Sequence, residues 1–106
     1  MAISKDQEYI RNNLSSAARY GQLAEECAEL AQAALKLMRY EAEENPPRKL
    51  RFQLEEDLTE EVADVLNALS VVVYQPNNQK IVEVRKKKMA RWATSVFNVK
   101  EDDDDS

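Results

Sequence analysis

Apolar residues recur along this chain at spacings of three and four, interrupted at a few sharp points, and that period predicts helices. Ser4-Lys5-Asp6-Gln7 has the Ser-x-x-Gln form of a capping box and opens a short helix to about Asn13. Ser15 or Ser16 caps a second helix to about Glu44, where Asn45-Pro46-Pro47 ends it. A third helical stretch covers roughly Arg48 to Tyr74, with Leu50, Leu54, Leu58, Val62, Leu66 and Leu69 in helical register. Asp57-Leu58-Thr59-Glu60 within it offers a local break and re-cap, which would make two helices of one. Gln75-Pro76-Asn77-Asn78 reads as a turn, and Asn78 as the N-cap of a fourth helix to about Thr94. The expected fold class is therefore all-α, a bundle of about four helices. Residues 1–100 are expected to form one helical domain, with 101–106 an acidic, flexible tail. Four such helices carry more apolar stripe than one small chain can cover, and Ala28-Glu29-Leu30-Ala31-Gln32-Ala33-Ala34 is rich in small residues. A homodimer or homotetramer follows as the expected way to hide the remainder.

Composition narrows the class. With 1 Gly and 3 Pro among 106 residues, little material exists for a β-sandwich, a dinucleotide fold or a glycine-rich phosphate loop. Acidic residues outnumber basic ones, 20 to 15, and the net charge of −5 argues against nucleic-acid binding through overall charge. The absence of His excludes Ser–His and Cys–His triads, zinc–His sites and ferritin-like Glu-x-x-His di-iron sites. Cys27 is the only cysteine, so neither an internal disulfide nor a cysteine-rich cluster forms. No stretch approaches the ~18 apolar residues of a membrane span, and Met1–Leu14 is too polar for a signal peptide. A cytoplasmic address is the expectation.

The candidate chemistry lies in carboxylates. On a helical wheel, Leu23, Cys27, Leu30, Ala34, Leu37 and Met38 form one stripe of the second helix. Glu26 lies roughly 70°, and Glu29 roughly 130°, to one side of its centre. In the third helix, Leu58, Val62, Val65, Leu66, Leu69 and Val73 make the stripe, with Glu61 roughly 80° and Asp64 roughly 140° off on the same side. Each pair is spaced i, i+3, so its members are neighbours, and antiparallel packing of the two stripes would gather all four. A single Glu-x-x-Glu is usually a solvated helix face, and Glu25, Glu55, Glu56 and Glu60 show how common acids are here. However, like charges at this spacing repel, and neither pair has a cation one turn away. A divalent cation among them would turn repulsion into attraction. All-oxygen ligation selects Mg²⁺, or Mn²⁺ in its place, over zinc or copper.

Glu25-Glu26-Cys27-Ala28-Glu29-Leu30-Ala31 followed by Glu60-Glu61-Val62-Ala63-Asp64-Val65-Leu66 resembles the EExxE…ExxD signature of the MazG-like all-α nucleoside triphosphate pyrophosphohydrolases. The resemblance runs from about Tyr20-Gly21-Gln22-Leu23 to Lys88-Met89-Ala90-Arg91, although residues 30–60 make a long connection for such proteins. It implies an enzyme that hydrolyses a nucleoside or deoxynucleoside triphosphate to the monophosphate and pyrophosphate, in the manner of nucleotide-pool housekeeping. It also implies that Glu26, Glu29, Glu61 and Asp64 are the Mg²⁺ ligands and that Lys88 and Arg91 contact phosphate. The physics suits the residue set, because clustered Mg²⁺ neutralises a phosphoanhydride and activates water without any His.

Glu25 adjoins the first pair and is the candidate proton acceptor, although its wheel position points to solvent. Lys36, two turns beyond Glu29, could reach a phosphate; the plain alternative is an exposed helix lysine. Asn67, one turn beyond Asp64, could orient a sugar hydroxyl or a water, or be a solvated amide. Tyr20, Tyr40, Phe52, Tyr74 and Trp92 could stack a base, yet residues at this spacing are more often core or subunit interface. Cys27 is expected to be a small buried residue of the stripe. Two other classes compete with an Mg²⁺-dependent hydrolase. One is a non-catalytic, homo-oligomeric helical interaction module, its acids serving solubility. The other is a nucleic-acid binder using Arg85–Arg91, which lacks interleaved aromatics.

Overall fold

The protein is described here from a computed structural model, which covers residues 4–73 and 78–104, with side chains through residue 99. The described residues form four helices and no strand: α1 (Lys5–Asn13), α2 (Ser16–Ala42), α3 (Arg51–Val72) and α4 (Gln79–Asp104). The chain divides into two compact units, Met1–Tyr74 with the first three helices and Gln75–Ser106 with the fourth.

Helix starts follow the capping residues in the sequence. Ser4 Oγ accepts from the Gln7 N–H at 3.1 Å, and Gln7 Oε1 accepts from the Ser4 N–H at 2.9 Å, closing the capping box of α1. Ser15, of the two serines available, caps α2 by accepting from the Ala18 N–H at 3.1 Å. Asn78 Oδ1 accepts from the Ile81 N–H at 3.0 Å and starts α4. Helix α2 ends at Ala42, short of Glu44: Glu43 and Asn45 take left-handed conformations, with φ of 56° and 45°. Pro46 disfavours right-handed helical backbone at Asn45, and the chain leaves the helix before reaching it.

Two expectations are corrected in the later helices. Asp57–Glu60 is not a break, since α3 runs unbroken to Val72 and the Thr59 hydroxyl donates to the Glu55 carbonyl one turn back. Helix α4 continues past Thr94 through Asp104, carried by Val96, Phe97 and Val99 with no Gly or Pro to stop it. Residues 105–106 of the acidic run lie outside the described residues, as does Tyr74.

In the first unit, α2 and α3 pack together and α1 packs on α3. The α2–α3 register is antiparallel and constant. Arg19 meets Val71, Glu26 lies near Asp64, Glu29 near Glu61, and Lys36 and Leu54 line one cleft. Ala33 on α2 and Ala68 on α3 are both buried; Leu54 and Val71 complete the buried set among the described residues. At the C-terminus of α3, carbonyls that no helical N–H can reach are met by arginines. Arg11 donates to the Ser70 and Val73 carbonyls, and Arg19 to that of Val71 at 2.8 Å. These bonds tie α1 and the start of α2 to the end of α3.

The buried faces overlap the stripes of the hydrophobic wheel, through Leu23, Leu30 and Leu37 on α2 and Leu58, Val65 and Leu69 on α3, but are shifted from their centres. Half-buried and buried positions on α2 include Arg19, Leu23, Glu26, Leu30, Ala33, Lys36 and Leu37, while Cys27, Ala34 and Met38 are exposed. On α3 the face runs through Leu54, Leu58, Glu61, Val65 and Ala68, while Val62 and Leu66 are exposed. Each helix is thus turned by roughly 50–70° toward its acids relative to its apolar centre. Cys27 is therefore a surface thiol, contrary to its expected burial. Among the aromatics, Tyr20, Phe52 and Trp92 are exposed and Tyr40 is half-buried.

The small core makes stability depend on a few positions. Leu54→Ala is expected to lower unfolding free energy by about 2–5 kcal/mol, the range for truncating a buried leucine. Gly21→Ala should raise it by about 0.5–1 kcal/mol, because a Cβ there meets nothing within 4 Å and helical glycine costs backbone entropy. Urea denaturation monitored by circular dichroism measures both.

Candidate metal centre

The antiparallel register brings the two i, i+3 acid pairs face to face. Glu26, Glu29, Glu61 and Asp64 each offer one carboxylate oxygen such that all four lie within 4.8 Å of one another. Oxygens around a cation at ligand distances of about 2.1–2.5 Å sit roughly 3–5 Å apart, so the cluster spans an all-oxygen coordination shell. Glu26 and Glu61, on the packing faces, are half-buried, whereas Glu29 and Asp64 are exposed at the rim.

The inner pair carries the electrostatic tension. Glu26 Oε2 and Glu61 Oε2 are both hidden from solvent with no hydrogen-bond partner. The other Glu26 oxygen, Oε1, accepts from the Gln22 amide at 2.7 Å. The Glu26 carboxyl is held above the ordinary carboxylate value of 4.5, first by desolvation, then by the charges of Asp64 and Glu29, with Gln22 opposing. Glu61 is raised above the same value, first by desolvation, then by Glu29, Asp64 and Glu26, and by a hydrogen bond with Glu29 that a protonated carboxyl makes. Among the described ion pairs, none involves any of the four acids. Two buried, unpaired oxygens within a ring of like charge are a donor set suited to a hard divalent cation.

A cleft of about 360 Å³ opens beside the cluster between α2 and α3. Glu29 and Glu61 belong to its wall, together with Lys36, Lys49, Leu54 and Asp57. Lys36 thus lies where sequence order put it, in line with the acids. Glu25 is exposed and outside the cluster. Asn67 is exposed on α3, and its backbone carbonyl accepts from the Ser70 hydroxyl at 2.7 Å. Lys88 and Arg91 are exposed on α4, in the second unit.

Three neighbours escaped the sequence reading. Gln22 lies one turn before Glu26, and its i, i+4 spacing was the available signal. Lys49 and Asp57, 2.8 Å apart, line the cleft from the loop before α3 and from its second turn. Nothing in the spacing of Lys49 from either acid pair marks it, because a loop carries it there. No protein-family model, curated protein or solved structure matches this chain.

The raised carboxyls fix the sign of a pH effect. An acid whose folded pKa exceeds its unfolded value stabilises the fold below the unfolded value and loses that contribution as pH rises through the folded one. In chelator, the melting temperature should therefore fall as pH is raised from about 4.5 through the elevated carboxyl range of Glu26 and Glu61. Glu61→Gln should flatten this slope and raise the melting temperature at neutral pH. Scanning calorimetry of both proteins across pH tests it; parallel slopes would remove the carboxyl cluster as the cause.

Proposed function

We propose that this protein is a Mg²⁺-dependent hydrolase that cleaves nucleoside or deoxynucleoside triphosphates to the monophosphate and pyrophosphate, in cytoplasmic nucleotide-pool housekeeping. The observation that carries this reading is the convergence of Glu26, Glu29, Glu61 and Asp64, two of them with hidden, unpartnered oxygens. The resemblance of the same residues to the EExxE…ExxD pattern of MazG-like enzymes adds the reaction class.

In this reading the four carboxylates hold the cation, Mg²⁺ or Mn²⁺. Bound there, it would supply charge neutralisation on the phosphoanhydride and activation of water. The chain's own residues do the rest. Gln22 fixes the rotamer of Glu26 through their 2.7 Å hydrogen bond. Glu29 and Asp64, at the exposed rim, face arriving substrate. Glu25, open to solvent beside Glu26, accepts the proton that the attacking water gives up. Asn67 contacts sugar or water. Exposed apolar side chains on the first unit, Leu35 and Met38 on α2 with Val62 and Leu66 on α3, support self-association into a homodimer or homotetramer. The same surface is what a non-catalytic interaction module would present, and activity separates the two.

Wild-type protein incubated with a panel of nucleotides should release pyrophosphate only in the presence of Mg²⁺ or Mn²⁺. Glu26→Gln, Glu29→Gln, Glu61→Gln and Asp64→Asn should each fold and lose roughly two or more orders of magnitude in rate, the scale of one lost transition-state contact worth ~2.7–4 kcal/mol. Glu55→Gln and Glu56→Gln, exposed on α3 outside the cluster, should stay within a small factor of wild type. No release from any nucleotide, or a Glu61 as dispensable as Glu56, would leave the interaction module as the better reading, and release that ignores chelator would overturn the metal dependence. Light scattering should show a dimer or tetramer at micromolar concentration, and a stable monomer would refute the assembly.

A further inference from the structure

The cleft between α2 and α3 has chemically opposite ends. Glu29, Glu60 and Glu61 line it on the side of the carboxylate cluster; Lys36 and Lys49 line it further along, with Leu54 and with Asp57 paired to Lys49. Lys36 stands two turns beyond Glu29 on α2, a rise of roughly 10 Å, and a helical side chain leans toward its N-terminus, here toward Glu29. Lys49 enters from the opposite wall, where Asp57 of α3 holds its ammonium group at 2.8 Å. Both partners of that pair are well exposed, at 49% and 39% of the side chain, so the bond between them contributes little to the fold and is readily exchanged. A multiply charged anion in the cleft offers Lys49 a stronger partner than Asp57.

We propose that Lys36 and Lys49 bind the pyrophosphate half of the substrate, so that a nucleoside triphosphate lies along the cleft with its leaving group at the lysine end and the bond to be broken beside the carboxylates. The proposal rests on the hydrolase reading for its substrate. In the step it describes, a water oxygen forms a bond to the α-phosphorus, and the bond from that phosphorus to the bridging oxygen breaks. The electron pair departs with pyrophosphate, and the water's proton goes to Glu25. Lys36 and Lys49 meet the charge that develops on the departing group. Cation and anion sites at two ends of one groove also fix the direction in which the substrate enters.

The test is calorimetric titration of inorganic pyrophosphate, and separately of a nucleoside monophosphate, into the full chain in Mg²⁺. Lys36→Gln and Lys49→Gln should each weaken pyrophosphate binding about tenfold or more, the scale of one charge-assisted contact, and leave monophosphate binding within a small factor. Lys49→Arg should retain most of the pyrophosphate affinity. Lys5→Gln, on α1 away from the cleft, should titrate like wild type. Unchanged melting temperatures would show that the variants fold. The proposal is overturned if wild type binds no pyrophosphate, if the lysine variants bind it normally, or if they lose monophosphate and pyrophosphate equally. Should wild type hydrolyse nucleotides while the lysine variants bind pyrophosphate normally, the lysine site falls and the hydrolase stands. Should it hydrolyse none while pyrophosphate binding still needs both lysines, the hydrolase falls and the anion site stands.

Discussion

Helix α2 meets α3 through faces that each carry a glutamate, and the other features of the first unit follow from that contact. The antiparallel register sets Glu26 near Asp64 and Glu29 near Glu61. Close approach of like charges opposes folding, so something must hold the helices in register against it. Part of the hold is at the far end, where Arg11 and Arg19 bind the terminal carbonyls of α3. Each arginine brings a delocalised charge to carbonyls that carry the negative end of the helix dipole. Their loss would free α1 and loosen the end of α3 nearest the Glu26–Asp64 contact. The tension in the cluster and the anchoring beyond it are therefore parts of one arrangement.

Much of the scaffold was legible in the chain. Capping residues did the most: Ser4, Ser15 and Asn78 each accept the backbone N–H that their positions predict, because a short polar side chain before an apolar period has few other local uses. Helix ends were read less well. Ala42 precedes the expected end because Pro46 acts on the residue before it, and α4 overruns Thr94 because nothing after it interrupts the period. The four acids of the cluster were also legible, from their paired i, i+3 spacing on two helices joined by a connection long enough to reverse direction.

What misled was the assumption that the apolar centre of each helix is its contact face. Here that centre is shared between two surfaces. One buries Leu54, Ala33 and Ala68; the other leaves Met38, Val62 and Leu66 in solvent. Averaging over both displaced the expected contact away from Glu26 and Glu61 and put Cys27 inside. The wheel sums hydrophobicity without knowing how many neighbours a helix has. A wide apolar arc with acids at its margin is therefore ambiguous between a solvated rim and a buried carboxylate flanked by a second interface. The half-burial of Glu26 and Glu61 shows that they are not a solvated rim.

The cleft shows a second limit of one-dimensional reading. Charges on one helix can be placed by period, which is how Lys36 was found; Lys49 arrives from the loop following Pro46 and Pro47, and only the folded chain sets it beside Asp57. Its placement alters the meaning of the acids. A ring of carboxylates alone attracts cations and repels a polyphosphate, so a site built only of Glu26, Glu29, Glu61 and Asp64 would turn away the anion that the proposed reaction needs. Two lysines further along the same cleft, Lys36 and Lys49, would offer counter-charge to the polyphosphate part of a cation–polyphosphate ligand. Asp57 keeps that cationic end from standing uncompensated, and being exposed it can release Lys49 without disturbing the packing of α2 on α3.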